Sequence, residues 1–169
     1  MTLRDLLVES ATTHLTEGVS RIAKSFSLLS QAELWQDPNE NLVSVGNLIL
    51  HLCGNVTQYV IAGLGREPIP RDRDGEFTHK PAWTGEALVA QLRNTVDMAI
   101  GVLRSRTDSD LEAEYVIQGM PTTGTAVVVH VVEHFSYHVG QITFATKLLK
   151  NTDVGYYAGI DLNQQNSTA

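Results

Sequence analysis

The chain has 169 residues and a formal charge of −7, because 12 lysines and arginines stand against 19 aspartates and glutamates. This acidic balance argues against a protein that binds the phosphate backbone of nucleic acids. The composition, 43% hydrophobic and 18% charged, is that of a globular protein, and the length suits a single domain with one hydrophobic core.

The cysteine content and the first residues of the chain indicate a compartment. The single cysteine, Cys53, cannot form an internal disulfide, and the N-terminal residues carry charges where a signal peptide requires an apolar run. Every apolar stretch is shorter or more polar than the roughly 20 residues that span a bilayer. We therefore expect a cytoplasmic protein that does not enter a membrane.

Hydrophobic periodicity predicts two helices in the first part of the chain. Apolar residues recur at every third or fourth position over residues 2–30, which indicates an amphipathic helix. After a loop, Ser44 is a suitable N-cap for a second helix, which we expect to end near Gly63 or Gly65.

A long connection and a third helix follow. Residues 64–83 contain three prolines and mixed charges, so we expect a long surface loop. Such a connection can cross the length of a bundle and start the next helix at the same end. Thr84 is a suitable N-cap for a third helix that ends near Thr107. Residues 108–124 then indicate an irregular linker or a short strand around 115–117.

The fourth predicted helix covers about residues 125–150 and is apolar on nearly all sides at its start, which implies burial. Its β-branched beginning could form a strand, but the sequence that follows continues a helical stripe without a turn signal. Four helices and no convincing sheet predict an all-α four-helix bundle over residues 1–150. We expect residues 151–169 to form a partly ordered C-terminal tail.

Two histidines of the fourth helix form a candidate metal-binding pair. His134 and His138 are four residues apart, one turn along the same helix face, where two imidazoles can share one ion. Their stripe includes Gln141 and continues the apolar core face, so we expect the pair to be buried. A divalent metal would satisfy the acceptor nitrogens of several buried imidazoles at once. However, isolated H-x-x-x-H patterns are common, and HFSYH lacks the glutamate of the metalloprotease motif H-E-x-x-H.

His51, in the middle of the second helix, is the best candidate for a third ligand. Asn47, Asn55 and Gln58 lie on the same face of that helix, and a core helix seldom places so many polar residues on one inward stripe. Three neutral nitrogen ligands would leave a position open for water or substrate. From spacing alone, a core histidine that is hydrogen-bonded to a neighbouring group is an equally good interpretation of His51.

The remaining candidates are assigned other roles. His130 lies one turn before the pair and could be a fourth ligand or a neighbour of the site, and we favour a neighbour. Glu133 lies off the stripe and is expected to face solvent or another helix. We expect His14 and His79 to be solvated. Cys53 points away from His51 around the helix, and we interpret it as a small buried hydrophobe.

The sequence resembles the DinB-like family of four-helix proteins. The resemblance rests on VGNLILHLCGN around His51 and on HVVEHFSYHVGQI in the fourth helix, which matches the family signature H-x-x-x-H-x-G-Q. Trp35 and Trp83 also stand where relatives often have tryptophan. Val139 replaces an arginine that is frequent in relatives, so any partner of that arginine is not expected here.

The resemblance implies a topology, a ligand set and an assembly. It implies an up-down-down-up bundle in which His51, His134 and His138 bind a divalent metal, most often zinc or nickel. It also implies a homodimer. Characterised relatives include bacillithiol and mycothiol S-transferases and a maleylpyruvate isomerase, all of which use low-molecular-weight thiols.

These expectations leave several functions open. The first hypothesis is a metal-dependent thiol S-transferase, in which the metal holds a small-molecule thiol as the thiolate that attacks an electrophilic substrate. A metal-dependent hydrolase is an alternative, weakened because Asn47, Asn55, Gln58 and Gln141 are not strong bases. A further alternative is a non-catalytic metal-binding or stress-associated bundle. We expect a small-molecule substrate and no nucleic-acid partner, since the basic residues of the long loop are interleaved with acids.

Overall fold

Helices make up most of the chain in the computed structural model, which describes residues 1–166. In chain order the elements are α1 (Leu3–Phe26), α2 (Gln31–Leu34), α3 (Val45–Val56), a π-helical segment (Thr57–Leu64), α4 (Arg73–Thr78), α5 (Gly85–Ser105), α6 (Asp108–Glu112), β1 (Glu114–Ile117), β2 (Met120–Thr123) and α7 (Gly124–Lys150). The long helices α1, α3 with the π-helical segment, α5 and α7 form the bundle that the sequence predicts.

Contacts between helix ends fix the directions of α1, α3 and α5. The Arg4 guanidinium, in the first turn of α1, donates hydrogen bonds to the carbonyl oxygens of Arg104 and Arg106 at the end of α5. These two helices are therefore antiparallel. Arg106 also donates through Nη1 to the Leu64 carbonyl at 3.0 Å, so the π-helical segment ends beside the end of α5. It follows that α3 and α5 run parallel.

The histidines show that α7 runs opposite to α3. His51 contacts His134 and His138, whereas Asn55, one turn later in α3, contacts His130, one turn earlier in α7. Each of α1 and α3 packs against both α5 and α7. If α1 is taken to run up the bundle axis, α3 and α5 run down and α7 runs up. The predicted up-down-down-up four-helix bundle is confirmed.

The hydrophobic core lies between the four long helices. Its largest fully buried side chains include Leu15, Ile22, Ile49, Leu52, Leu92, Phe135 and Ile142. Gly18 allows α1 to approach α7 closely, because a Cβ atom at this position would lie only 2.7 Å from Cε1 of Phe135. None of the helices within residues 1–166 is long and apolar enough to cross a membrane.

Side-chain caps begin two of the long helices where the sequence predicts them. The hydroxyls of Ser44 and Thr84 accept hydrogen bonds from the backbone amides of Asn47 and Ala87, at 3.1 and 3.2 Å. Caps of this kind satisfy first-turn amides that have no partner within the helix. The starts of α3 and α5 are therefore encoded locally.

Two predictions about the first half of the chain need correction. α1 ends at Phe26 instead of continuing to residue 30, because Ser30 is the N-cap of the separate short helix α2. The connection 64–83 is not wholly a surface loop, since it contains α4, capped by the Asp72 side chain, and α4 buries Glu76. This short helix brings side chains of the connection against α3.

A β-hairpin occupies the predicted linker between the third and fourth long helices. β1 and β2 are antiparallel, and Ile117 pairs with Met120 across the turn residues Gln118 and Gly119. Both turn residues have positive φ, 55° and 75°, as type I′ hairpin turns require. The strand expected around 115–117 is therefore present, with a partner strand that the sequence analysis missed.

The π-helical segment changes the register at the end of the second long helix. Its wider turns are shown by hydrogen bonds from the Gly65 amide to the Val60 carbonyl at 2.9 Å and from Glu67 to Ala62 at 3.1 Å. Each bond spans five residues instead of four. The angle of 100° per residue that holds in α3 therefore does not extend to Gln58.

The C-terminal segment packs back onto the bundle. Val154 is buried, and the Tyr156 hydroxyl hydrogen-bonds with the hydroxyls of Ser25 and Thr143, at 2.7 and 2.8 Å. Part of the predicted tail is therefore fixed against α1 and α7. Residues 167–169 lie outside the described part of the chain.

Candidate metal centre

Three histidines from two helices meet near the middle of the bundle. His51 of α3 faces His134 and His138 of α7, and one ring nitrogen of each lies within 4.8 Å of the others. His51 and His138 are buried, and His134 is half-buried. The structure therefore brings together the three histidines that were predicted as candidate ligands.

The Glu76 carboxylate determines the tautomer of His51. Burial raises the pKa of Glu76, but hydrogen bonds with Arg71 and His51 outweigh burial and hold it below its ordinary value. The ionised carboxylate can only accept hydrogen bonds. Because Oε2 of Glu76 lies 3.0 Å from Nδ1 of His51, Nδ1 carries the proton. In the neutral ring the lone pair of His51 is then on Nε2, the atom that lies 3.1 Å from Nε2 of His134.

Gln141 has the same effect on His138. Its Oε1 atom lies 2.6 Å from Nδ1 of His138, so the ring donates from Nδ1 and keeps its lone pair on Nε2. Burial lowers the pKa of His138, although the hydrogen bond with Gln141 opposes this shift. Gln141 thus contacts a predicted ligand and is not itself part of the three-nitrogen cluster.

His134 lacks the partners that a buried histidine ordinarily has. Its Nδ1 atom is buried and has no hydrogen-bond partner within residues 1–166, while its Nε2 atom lies 3.1 Å from Nε2 of His51. Burial and the neighbouring imidazoles lower the pKa of His134 to about 3, so the ring is neutral at physiological pH. It is therefore Nε2, and not the unpaired Nδ1, that His134 presents to His51.

The donor set fits a divalent transition metal. Nitrogens bound to one tetrahedral zinc at about 2.0–2.1 Å stand roughly 3.3 Å apart, and the Nε2 atoms of His51 and His134 are 3.1 Å apart. Neutral imidazoles are ligands for zinc, nickel, copper and iron. Each of His51 and His138 also donates its other ring proton to an oxygen, as metal-binding histidines in proteins ordinarily do.

His130 lies beside the three-histidine cluster without joining it. Its Nε2 atom is 3.4 Å from Nδ2 of Asn55, and its ring packs against Tyr59 with the centroids 4.1 Å apart. Burial lowers its pKa, and Glu133 partly offsets the shift. Oδ1 of Asn55 is buried and makes no hydrogen bond with the part of the chain that the structure describes. Both residues therefore offer polar atoms beside the cluster, which agrees with the neighbouring role predicted for His130.

Two other pocket candidates bind the connection instead of lining the cluster. Nδ2 of Asn47 donates to the carbonyl oxygens of Glu76 and His79 at 2.9 and 2.8 Å. Oε1 of Gln58 accepts from Nη1 of Arg71. Both side chains therefore hold the 64–83 connection against α3.

Three residues that contact His51 were not predicted from the sequence. Besides Glu76 and Arg71, the Phe77 ring lies beside it with the centroids 4.7 Å apart. All three belong to the connection that was predicted to be a surface loop. The signal that could have found them is Asp72, an N-cap residue that precedes a short amphipathic turn.

The histidines and the cysteine that were set aside remain outside the cluster. His14 and His79 are exposed, as expected. Burial raises the pKa of the Cys53 thiol to about 12, and Cys53 packs at the edge of the core. It is therefore a neutral thiol, and it is not part of the three-histidine cluster among the described residues.

Solved structures share this fold at low sequence identity. A DinB-like protein from Bacillus cereus ATCC 10987 is 18% identical with a TM-score of 0.66, over 83% of this chain and 91% of that one. YfiT from Bacillus subtilis, described as a probable metal-dependent hydrolase with an unusual four-helix bundle topology, is 16% identical with a TM-score of 0.70, over 84% and 87%. A mycothiol-dependent maleylpyruvate isomerase is 18% identical with a TM-score of 0.59, over 84% of this chain and 63% of that one.

The fold and the histidine cluster define a DinB-like four-helix bundle with a candidate metal centre. No curated protein sequence matches the chain. Residues 4–158 match the family described as "Protein of unknown function (DUF1572)". The chain belongs to this family.

Proposed function

We propose that the protein binds a divalent metal, zinc or nickel, through His51, His134 and His138. The observation that carries this proposal is the convergence of three histidine nitrogens within 4.8 Å. Two of these histidines have their other ring nitrogen occupied by an oxygen partner, so their Nε2 lone pairs are available for an ion. The Nε2 atom of His134, 3.1 Å from Nε2 of His51, completes the donor set.

We propose that this site serves a metal-dependent thiol S-transferase. A bound divalent ion would lower the pKa of a small-molecule thiol and hold it as the nucleophilic thiolate. His51 and His138 are oriented by Glu76 and Gln141, and three protein ligands leave a position for an external group. Cys53 has a raised pKa, so it does not offer an internal thiolate in competition. A low-molecular-weight thiol would therefore be a co-substrate.

Hydrolysis is the second candidate, and His130 is the observation that favours it. This half-buried histidine has a pKa lowered by burial, so it is a neutral base, and its ring centroid lies 5.5 Å from that of His134. A neutral imidazole in this place could accept a proton from water. Glu76 is less suited to this task because its oxygens already accept from Arg71 and His51.

The test begins with the metal content of protein purified without added ions. Near-stoichiometric zinc or nickel is expected in the wild type and in His14→Ala, which removes an exposed histidine, but not in His134→Ala. Loaded protein is then tested for conjugation of a reactive aromatic halide with cysteine, glutathione, bacillithiol and mycothiol. Turnover lost in His134→Ala supports the transferase. Metal binding without any conjugation would reject the transferase, and ester hydrolysis that His130→Ala abolishes would favour the second candidate.

We also propose that the protein is a homodimer. One face of α7 exposes Val129, Tyr137, Phe144 and Leu148, with 54% to 70% of each residue accessible, and Val129 also lines a groove of about 430 Å³ between α1 and α7. Apolar residues that are exposed together on one helix face indicate an interaction surface, whereas isolated ones need no explanation. Sedimentation should give twice the chain mass for the wild type and the monomer mass for Phe144→Asp. A monomeric wild type would reject the proposal.

A further inference from the structure

A mid-helix glycine lies where the 64–83 connection approaches His51. Gly54 is in the interior of α3, where glycine destabilises a helix relative to alanine. A Cβ atom there would lie 1.8 Å from Oε1 of Glu76, 2.5 Å from its Cδ, and 3.0 Å from Nε of Arg71. Its backbone is helical, so the close approach of the carboxylate, and not a special conformation, accounts for glycine.

The carboxylate that approaches Gly54 is held in one orientation. Arg71 donates to it through two atoms, from Nε to Oε1 and from Nη2 to Oε2, both at 2.6 Å. The Arg71 and Glu76 side chains are each only 9% exposed. Paired hydrogen bonds of this kind fix the plane of a carboxylate. The remaining acceptor position on Oε2 is directed at Nδ1 of His51, 3.0 Å away.

The backbone of α4 is also held in place. Asn47, one turn before His51 in α3, donates to the carbonyl oxygens of Glu76 and His79. The hydroxyl of Ser44 donates in turn to Oδ1 of Asn47 at 2.6 Å. The position of Glu76 is therefore set at its backbone by Asn47 of the helix that carries His51, and at its side chain by Arg71 of the connection.

We propose that Glu76 is a positioning residue for the metal centre, and that the missing side chain at Gly54 leaves the space in which its carboxylate reaches His51. The inference rests on the proposed metal site. A carboxylate on Nδ1 keeps the proton there, orients the ring, and makes Nε2 a stronger ligand. Glu76 acts through His51 and does not contact the ion. The competing view is that the Arg71 and Glu76 pair only fastens the connection to the bundle.

Gly54→Ala tests this role without removing a polar group, and Gly101→Ala is its matched control. Gly101 is also in a helix interior, in α5, but a Cβ atom there meets nothing within 4 Å. Zn²⁺ alone is titrated in competition with a chromogenic chelator. We expect binding about 10- to 100-fold weaker in Gly54→Ala and in Glu76→Gln, and unchanged in Gly101→Ala. Circular dichroism reports whether each variant keeps the wild-type helix content.

A second measurement begins with the wild type alone. Long-range ¹H–¹⁵N spectra of the metal-free wild type show which nitrogen of His51 carries the proton, and we expect Nδ1. In Gly54→Ala the population should move toward Nε2–H, which a fastening role for the ion pair would not require. Finding Nε2–H as the main form in the wild type overturns the inference.

The two proposals fail in different ways. A wild type that binds Zn²⁺ as tightly as folded Gly54→Ala and Glu76→Gln overturns the positioning role and leaves the metal site standing. A wild type that binds no Zn²⁺ or Ni²⁺ overturns the metal site, and the positioning role with it. Weaker binding in both variants, with Gly101→Ala unaffected, supports both proposals.

Discussion

The stability of the metal-free protein should fall as the pH is lowered, and His134 should account for a measurable part of the loss. Burial lowers the pKa of this histidine to about 3, whereas a histidine in an unfolded chain titrates near 6.5. Below that pH the unfolded chain takes up a proton that folded His134 does not. The contribution of His134 to the free energy of unfolding is therefore fully present above about pH 6.5 and is lost progressively at lower pH.

The size of the effect follows from the two pKa values. Between about pH 7.5 and about pH 5, they give a loss of about 2 kcal/mol in the free energy of unfolding. His134 is only half-buried, so solvent screens its interactions and we expect about 1–2 kcal/mol. His130 and His138 also have pKa values lowered by burial, and they add to the total loss. Their contribution remains in a variant that lacks only His134.

Urea unfolding with a chelator present, at about pH 7.5 and about pH 5, measures this loss. The wild type should lose about 1–2 kcal/mol more than His134→Gln between the two conditions. His14→Gln, which replaces an exposed histidine, should behave like the wild type. If His134→Gln loses as much stability as the wild type, His134 is not held neutral by burial and the reasoning about the cluster is wrong.

Three further predictions concern the ligands, the cysteine and the core. Zinc at about 100 times its dissociation constant should add about 2.7 kcal/mol to the free energy of unfolding. Calorimetry should show the gain in the wild type but not in His138→Ala, and a gain in both would exclude His138 as a ligand. Because the Cys53 thiol has a pKa of about 12, a thiol reagent should modify the native protein far more slowly than the urea-unfolded chain, and equal rates would refute its burial. Gly18→Ala should lower the free energy of unfolding by about 1–2 kcal/mol, because the added methyl group overpacks against Phe135. If urea unfolding gives Gly18→Ala the same free energy of unfolding as Gly101→Ala, this prediction is wrong.

The cluster could be predicted from the sequence because its helices are regular where the histidines lie. Four residues in an α-helix bring His134 and His138 to one face, and the polar stripe beside His51 indicated which face of α3 turns inward. The prediction that these faces meet depended on a resemblance to a known family, since spacing within single helices does not define the contact between them. The structure supplies that contact.

The partners of the cluster were not predicted, for two physical reasons. Glu76 and Arg71 lie in a connection whose path depends on tertiary contacts with α3, and periodicity carries no information about such contacts. Gln58 lies in the π-helical segment, where wider turns change the direction of each side chain. Gly54 was a usable signal, because an interior helix glycine costs stability unless something approaches it closely.

The crossing connection links the topology of the bundle to the chemistry of the site. A short loop would make α3 and α5 antiparallel. Such a loop would also be too short to place residues beside His51. Because α3 and α5 run parallel, the chain must return along the bundle, and residues 64–83 do so while packing α4 against α3. That return path carries Arg71 and Glu76 to His51. The same connection therefore accounts for the up-down-down-up order and supplies the carboxylate that orients a candidate metal ligand.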